Sequence, residues 1–354
     1  MRILVAGDRF CPSSAFQEAF RALAGEHDVT FVDVVDEPDW RPETPSELRL
    51  RETMGSPRQV IEALDGHEVL VIQGAPVSDA VLDAAPLRLV CCARGGPVNV
   101  DVAAATRRGI PVVTTPGKNA DAVAELTMAF LVMLARQLPV VIRYVEGGGE
   151  FAHDNYEGAK WFGHDLAGHT LGLVGLGQIG HRVTSRARAF GMKVVAYDPF
   201  VDPAAVQETG AEPVDLDTLL AVSDFVSLHA RATPDNRGLI GSPQIARMKR
   251  GAYLVNTARD TLVDEAAVIE GLATGRLAGA AFDLISPSPD SGLHPLLAFP
   301  NVIITTHIGG ATFETLHHAG EMAVAAIRRL SAGERLLDLA DPSVVVGRRA
   351  GSAA

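Results

Sequence analysis

Three polar residues each stand at the end of an apolar, β-rich run. Arg259 follows Ala252–Asn256, Asp283 ends Gly279–Asp283, and His307 follows Val302–Thr305. Ligands of open α/β sheets bind outside the carboxyl ends of strands, so all three sit where chemistry is expected. An arginine there can grip a carboxylate with its planar fork of donors, and a histidine can exchange a proton near neutral pH. Taken singly, each has a bland reading: a surface ion pair, a cap, a hydrogen-bonded structural histidine. A second motif changes that weighing. The run Thr170–Val174 leads into Gly175-Leu176-Gly177-Gln178-Ile179-Gly180, then a helical pattern, then a strand ending at Asp198, 23 residues beyond Gly175. This spacing is close to the roughly 20 residues of a dinucleotide fingerprint. Gly175 allows the tight turn, Gly177 lets the backbone approach a pyrophosphate, and Gly180 permits close packing of helix on strand. The helix N-terminus at Gln178 and Ile179 faces the anion. Asp198 suits both ribose hydroxyls and repels a 2′-phosphate, and no arginine follows it, so NAD is expected rather than NADP.

The elements that must position these residues alternate along the chain. Strands are expected at Arg2–Ala6, Val29–Val34, Glu68–Ile72, Leu87–Cys92 and Ile110–Thr114, with amphipathic stretches near Ala15–Ala24, Pro57–Leu64, Asp79–Ala84 and Asp101–Arg107. A nearly all-apolar helix, Asn119–Ala135, suggests burial between domains or subunits. After a Gly-rich loop, Glu146–Gly168, a second series runs through Thr170–Val174, Lys193–Tyr197, Phe225–Leu228, Ala252–Asn256, Gly279–Asp283 and Val302–Thr305, and ends in a helix, Thr312–Leu330. Continuous Val/Ile/Leu strands alternating with helices predict parallel sheets covered on both faces.

Composition narrows the function. The chain has 354 residues with 43 acidic against 31 basic, a formal charge of -12 and 5% aromatics. Such a chain repels phosphate backbones and offers little for base stacking, so nucleic acid is not an expected partner. Three cysteines (Cys11, Cys91 and Cys92) make no disulfide framework, which points to a reducing, cytoplasmic compartment. The charge-free run Leu126–Ala135 is too short to span a bilayer, so no membrane role is expected. No His or Cys spacing suggests a metal.

The blocks Asn119–Glu125, Gly175–Gly180, Val255–Asp264, Ala278–Asp283 and His294–Thr312 occur in an order and at spacings that resemble the D-isomer-specific 2-hydroxyacid dehydrogenases over nearly the whole chain. The resemblance implies two Rossmann-like or flavodoxin-like α/β domains with a cleft between them. Residues 1–115 and 309–354 would form the outer, substrate-binding domain, and 116–308 the NAD-binding domain. It implies an NAD-dependent oxidoreductase interconverting a 2-oxo acid and a D-2-hydroxy acid, working as a homodimer. Arg259 would bind the carboxylate and carbonyl, and His307 would be the acid/base. Asp283 would orient the nicotinamide carboxamide, with Thr233, Thr257, Ala258, His307 and Gly309 also along the cofactor. Amides near Gly74 and Ala75 and of the Arg94-Gly95-Gly96 loop would complete the anion site.

This chain departs from that family in three places. Ser288 stands where a catalytic glutamate is usual. Losing that acid beside cationic Arg259 lowers the expected pKa of His307, although Ser288 can orient the ring as a neutral partner. Arg94 replaces a glycine of the substrate-facing loop, and Arg231 replaces a proline. The functional reading of Arg94 is a contact with a second anionic group, so that the small-acid substrate is phosphorylated or carries a distal carboxylate. The missing glutamate also keeps open a different class, an NAD(H)-sensing regulatory protein of the same fold.

Overall fold

The structure, a computed structural model, describes residues 1–149, 156–287 and 292–344. The chain divides into two units, Met1–Asn119 with Thr312–Ala354, and Ala120–Ala311. Both are α/β with wholly parallel sheets, as the strand–helix alternation predicts.

The first unit carries β1 (Arg2–Gly7), β2 (Asp28–Asp33), β3 (Val69–Ile72), β4 (Leu89–Cys92) and β5 (Val112–Val113), in the order β2-β1-β3-β4-β5. That order is of the flavodoxin type, and its topological switch point lies between β1 and β3. One sheet face packs Ile3, Val5 and Val71 against Phe16, Phe20 and the C-terminal helix Phe313–Ala332, through Ala319, Ala323 and Ile327. Gly320 is required there, because a Cβ would sit 2.9 Å from the Ala19 Cβ. The tail then returns to the edge strand, where Thr114 donates its N–H to Asp338 O at 2.9 Å. The stretch expected as one helix near Ala15–Ala24 is a single turn, Gln17–Phe20, between two 3-10 turns.

The second unit carries β6 (Thr170–Val174), β7 (Lys193–Tyr197), β8 (Glu212–Pro213), β9 (Phe225–Leu228), β10 (Ala252–Asn256), β11 (Leu277–Phe282) and β12 (Val302–Ile304). Their order is β12-β11-β10-β9-β6-β7-β8, a Rossmann arrangement with its switch point between β6 and β9. The two-residue edge strand β8 has no hydrophobic run to betray it in the sequence. The apolar helix Ala120–Ala135 lies largely in this unit's own core, where Ala124, Met128, Leu131 and Leu134 pack with Leu171, Val183 and Tyr253. A second helix not foreseen, Leu138–Glu146, follows a left-handed Gln137 and carries Pro139 in its first turn. Among the described residues no single helix is long and apolar enough to cross a membrane.

Candidate functional site

The fingerprint turn forms at the switch point of the seven-stranded sheet. Gly175 has φ +95°, and a Cβ on it would lie 2.6 Å from Ala230 N and 2.8 Å from His229 C. Both the backbone angle and the close approach of the turn after β9 require glycine. A Cβ on Gly180 would sit 2.5 Å from Gly175 O, so this glycine seats the helix Gln178–Ala189 on the turn. Gly177 is different: a Cβ there meets nothing within 4 Å, so the space above it is open to a ligand. No side chain caps that helix, and its first-turn amides at Gln178, Ile179 and Gly180 have no partner within the helix. Asp198 accepts Leu176 N–H at 2.8 Å on Oδ2 and Phe200 N–H at 2.9 Å on Oδ1. The acid therefore stiffens the turn while keeping lone pairs for a ribose. These groups fit a dinucleotide: open backbone, free amides and an acid at the end of β7. Replacing Gly175 by alanine is expected to weaken NADH binding about tenfold or more, through strain of order 1–3 kcal/mol. Fluorescence titration beside a thermal melt checks this, and unchanged affinity would show that the turn tolerates a side chain.

Arg259, Asp283 and His307 follow three adjacent strands, β10, β11 and β12. The sequence did not single out Asn256, which is buried and holds the first of these turns. Its Oδ1 accepts Ala258 N–H at 3.0 Å and its Nδ2 donates to Arg259 O at 2.8 Å. Arg259 is exposed and spends one donor on Ala258 O, at 2.8 Å. Thr257 is buried, with its hydroxyl 3.0 Å from that of Thr127. Thr233 is exposed and caps the 3-10 turn Pro234–Asn236.

Asp283 is buried and does more than the sequence suggested. Its Oδ1 accepts the Thr305 hydroxyl at 2.7 Å and Ile308 N–H at 2.8 Å, and its Oδ2 accepts Gly309 N–H at 2.8 Å. Its backbone N–H donates to Asn256 O, and its carbonyl accepts His307 N–H at 2.7 Å. The result is a ladder from the Arg259 turn to the His307 turn. His307 itself is exposed and left-handed, with φ +61°. A non-glycine residue holds that conformation only where its surroundings impose it. Gly309 must be glycine, since a Cβ would lie 2.7 Å from the Asp283 carboxylate.

His229, read as structural from the sequence, lies beside the fingerprint turn with Nε2 2.9 Å from Ser227 Oγ. Its Nδ1 is buried without a partner among the described residues. Burial pulls the imidazole from the ordinary 6.5 down to about 4. The folded chain thus refuses a proton that the unfolded chain accepts. This stability contribution is complete above about pH 6.5 and is lost as pH falls toward about 4. Thermal melts of His229→Gln across that window are expected to show a flatter pH dependence than the parent. Parallel curves for the two proteins would overturn the assignment.

In the first unit, Gly74 N–H donates to Asp8 Oδ2 at 2.7 Å and so is not free for an anion. The amides of Ala75, Gly95 and Gly96 make no hydrogen bond to any described residue. Arg94 is mostly covered and pairs with the Glu52 carboxylate and, at 3.1 Å, with Glu52 O. Arg231 is exposed. Ser288 lies outside the described residues. The segment leading to it is fixed by two acids not singled out beforehand. Ser286 N–H donates to Glu265 Oε1 at 2.9 Å, and Ser286 Oγ donates to Asp260 Oδ2 at 3.1 Å. Among the described residues no three His, Cys, Asp or Glu side chains group as a metal site.

Residues 128–309 match the family described as D-isomer specific 2-hydroxyacid dehydrogenase, NAD binding domain. The chain belongs to the D-isomer-specific 2-hydroxyacid dehydrogenases. It is 38% identical over 280 residues to the D-3-phosphoglycerate dehydrogenase of Archaeoglobus fulgidus, covering 78% of this chain and 52% of that one. It is 38% identical over 299 residues to the glyoxylate reductase of Korarchaeum cryptofilum, covering 84% of this chain and 89% of that one. The chain thus spans about half the length of the first of these curated relatives. Among solved structures, the TT0316 protein of Thermus thermophilus aligns with TM-score 0.76 at 33% identity, covering 96% of this chain and 99% of that one. The apo D-lactate dehydrogenase of Escherichia coli aligns with TM-score 0.75 at 26% identity, covering 96% and 99%. The fingerprint turn and the Asp283 ladder of this family member both fall within, or end at, the matched NAD binding domain.

Proposed function

We propose that this chain reduces a small 2-oxo acid to the D-2-hydroxy acid with NADH, and runs the reverse oxidation. The observation that carries the reading is the Asn256–Asp283–His307 ladder. It sets an arginine after β10 and a histidine after β12, on either side of the strand that leads into Asp283, in the sheet that bears the dinucleotide turn. Gly177, the amides of Gln178 to Gly180 and Asp198 would hold NAD, with Thr233, Thr257, Ala258 and Gly309 along it. When bound in reduced form, the dinucleotide supplies the hydride; this chain's side chains position and polarise. Arg259 keeps donors free for the substrate's carboxylate and carbonyl oxygen, which it can clamp side by side. His307, protonated, gives its proton to the ketone oxygen in reduction, and neutral, takes the hydroxyl proton in oxidation. Ala75, Gly95 and Gly96 offer amides to an anion from the first unit, the proposed substrate domain.

Two features support further parts of the reading. Leu138, Ile142 and Val145 form an exposed apolar stripe at i, i+4 and i+7 on one helix, which suits the homodimer. Cys11, Cys91 and Cys92 are buried and unbridged, which suits the cytoplasm. The test is NADH oxidation followed optically with a panel of monocarboxylic, dicarboxylic and phosphorylated 2-oxo acids. Turnover with at least one supports the dehydrogenase. NADH binding without turnover on any of them would favour the NAD(H)-sensing alternative.

A further inference from the structure

One half-buried cation of the first unit makes no hydrogen bond or ion pair among the described residues. Lys118 follows β5 and is half-buried. Its backbone is tied to that of Arg94 by two steps: Lys118 N–H donates to Thr115 O, and Thr115 N–H donates to Arg94 O at 2.9 Å. Among the described residues the Lys118 ammonium makes no hydrogen bond or ion pair. The hydroxyl of Thr115, between the two cations in sequence, is buried and likewise unpartnered among them.

The neighbours of Lys118 do not meet its demand for acceptors. Cys11 and Cys92 lie near it, but burial pushes both thiols up to about 12, so they stay protonated and neutral. Asp8 is the nearby acid, and its oxygens already accept the N–H groups of Phe10, Cys11 and Gly74. Burial pulls the Lys118 ammonium below the usual lysine range, and the Arg94 guanidinium acts in the same direction. An entering anion would relieve both effects, because an opposite charge favours the protonated form. Arg94 has the Glu52 carboxylate as a present partner, on a residue held left-handed at φ +50°. An anion seated here would take the place of that carboxylate on Arg94. The carboxyl ends of β1, β3 and β4 adjoin the switch point of this sheet, where ligands of such folds bind.

We infer that Lys118 and Arg94 form an anion subsite that selects substrates carrying a second acidic group beyond the 2-oxo acid. This rests on the dehydrogenase reading above and adds a specificity-determining residue to it. The shared chemistry is a second anion, whether a carboxylate or a phosphate. The two arms of the test, a dicarboxylic and a phosphorylated 2-oxo acid, tell these sources apart.

The experiment compares the intact protein with Lys118→Met, Lys118→Arg and a surface control, Lys193→Met. Two quantities are read: the ratio of kcat/KM for each dianionic substrate over a monocarboxylic one, and binding of inorganic phosphate by calorimetry. The parent is expected to prefer at least one dianion, and Lys118→Met to reduce that preference about tenfold to a hundredfold. Lys118→Arg retains most of the preference, the control all of it, and phosphate binding falls in step with the ratio. A folded Lys118→Met with an unaltered ratio and unaltered phosphate binding overturns the inference. So does a parent that shows neither dianion preference nor phosphate binding, whatever the variants' folding. Failure to turn over any 2-oxo acid removes the dehydrogenase reading instead, and the phosphate titration then still decides whether Lys118 holds an anion.

Discussion

His307→Ala is expected to lower kcat for 2-oxo acid reduction by about a hundredfold to ten-thousandfold, with NADH affinity changed only a few-fold. The imidazole is exposed at the end of β12, so its removal leaves no buried cavity. Its loss removes the proton donor for the ketone oxygen. Stopped-flow NADH oxidation with a reactive 2-oxo acid, beside an NADH fluorescence titration, measures the two quantities. Because alanine also disfavours φ +61°, His307→Asn is the companion variant: asparagine adopts the left-handed region more readily but donates no proton. A loss shared by both variants belongs to the proton. A loss seen in alanine alone would belong to the backbone, and the acid/base assignment would fail.

Asp283→Asn carries the second large effect, because one carboxylate holds the whole His307 turn. Its oxygens accept from Thr305, Ile308 and Gly309 at 2.7–2.8 Å, in a site only 3% exposed. An amide replaces one acceptor with a donor. Turned one way it faces Gly309 N–H; turned the other, it faces Ile308 N–H. Either conflict leaves buried donors unsatisfied, at about 1–3 kcal/mol each. The melting temperature of the second unit is therefore expected to fall. Displacement of the His307 turn by about an ångström is expected to cost on the order of a hundredfold in kcat. A variant with parental kcat would show that the ladder does not position His307. A loss of NADH affinity larger than the loss in kcat would return Asp283 to the nicotinamide contact that the family resemblance implies.

These two residues also show what was legible beforehand. His307 stood out because a histidine after an apolar strand is a local pattern, readable from a few consecutive residues. Asp283 was visible as an acid at a strand end, but its partners lie 22 to 26 positions away. Asn256 lies in the same segment as Arg259 without standing out, since one amide in a turn carries no periodic signature. Lys118 likewise carries no local signature. What distinguishes it is a missing partner, and that depends on where Asp8, Cys11, Cys92 and Arg94 are brought by separate strands of one sheet.

By itself the sequence determined the parallel α/β character, most strand positions and the dinucleotide turn, because each is set by neighbours in the chain. The side-chain alternation of a strand, the 3.6-residue repeat of a helix and the glycines of a tight turn all act over short stretches. Tertiary structure decided which polar groups are already committed. Gly74's amide belongs to Asp8, Asp283's oxygens to the His307 turn, and Arg94 to Glu52, while the Lys118 ammonium and the Thr115 hydroxyl have no hydrogen-bond partner among the described residues. Hydrogen-bond capacity is finite and satisfied across long sequence separations, so free and spent donors become distinguishable only once the chain is folded.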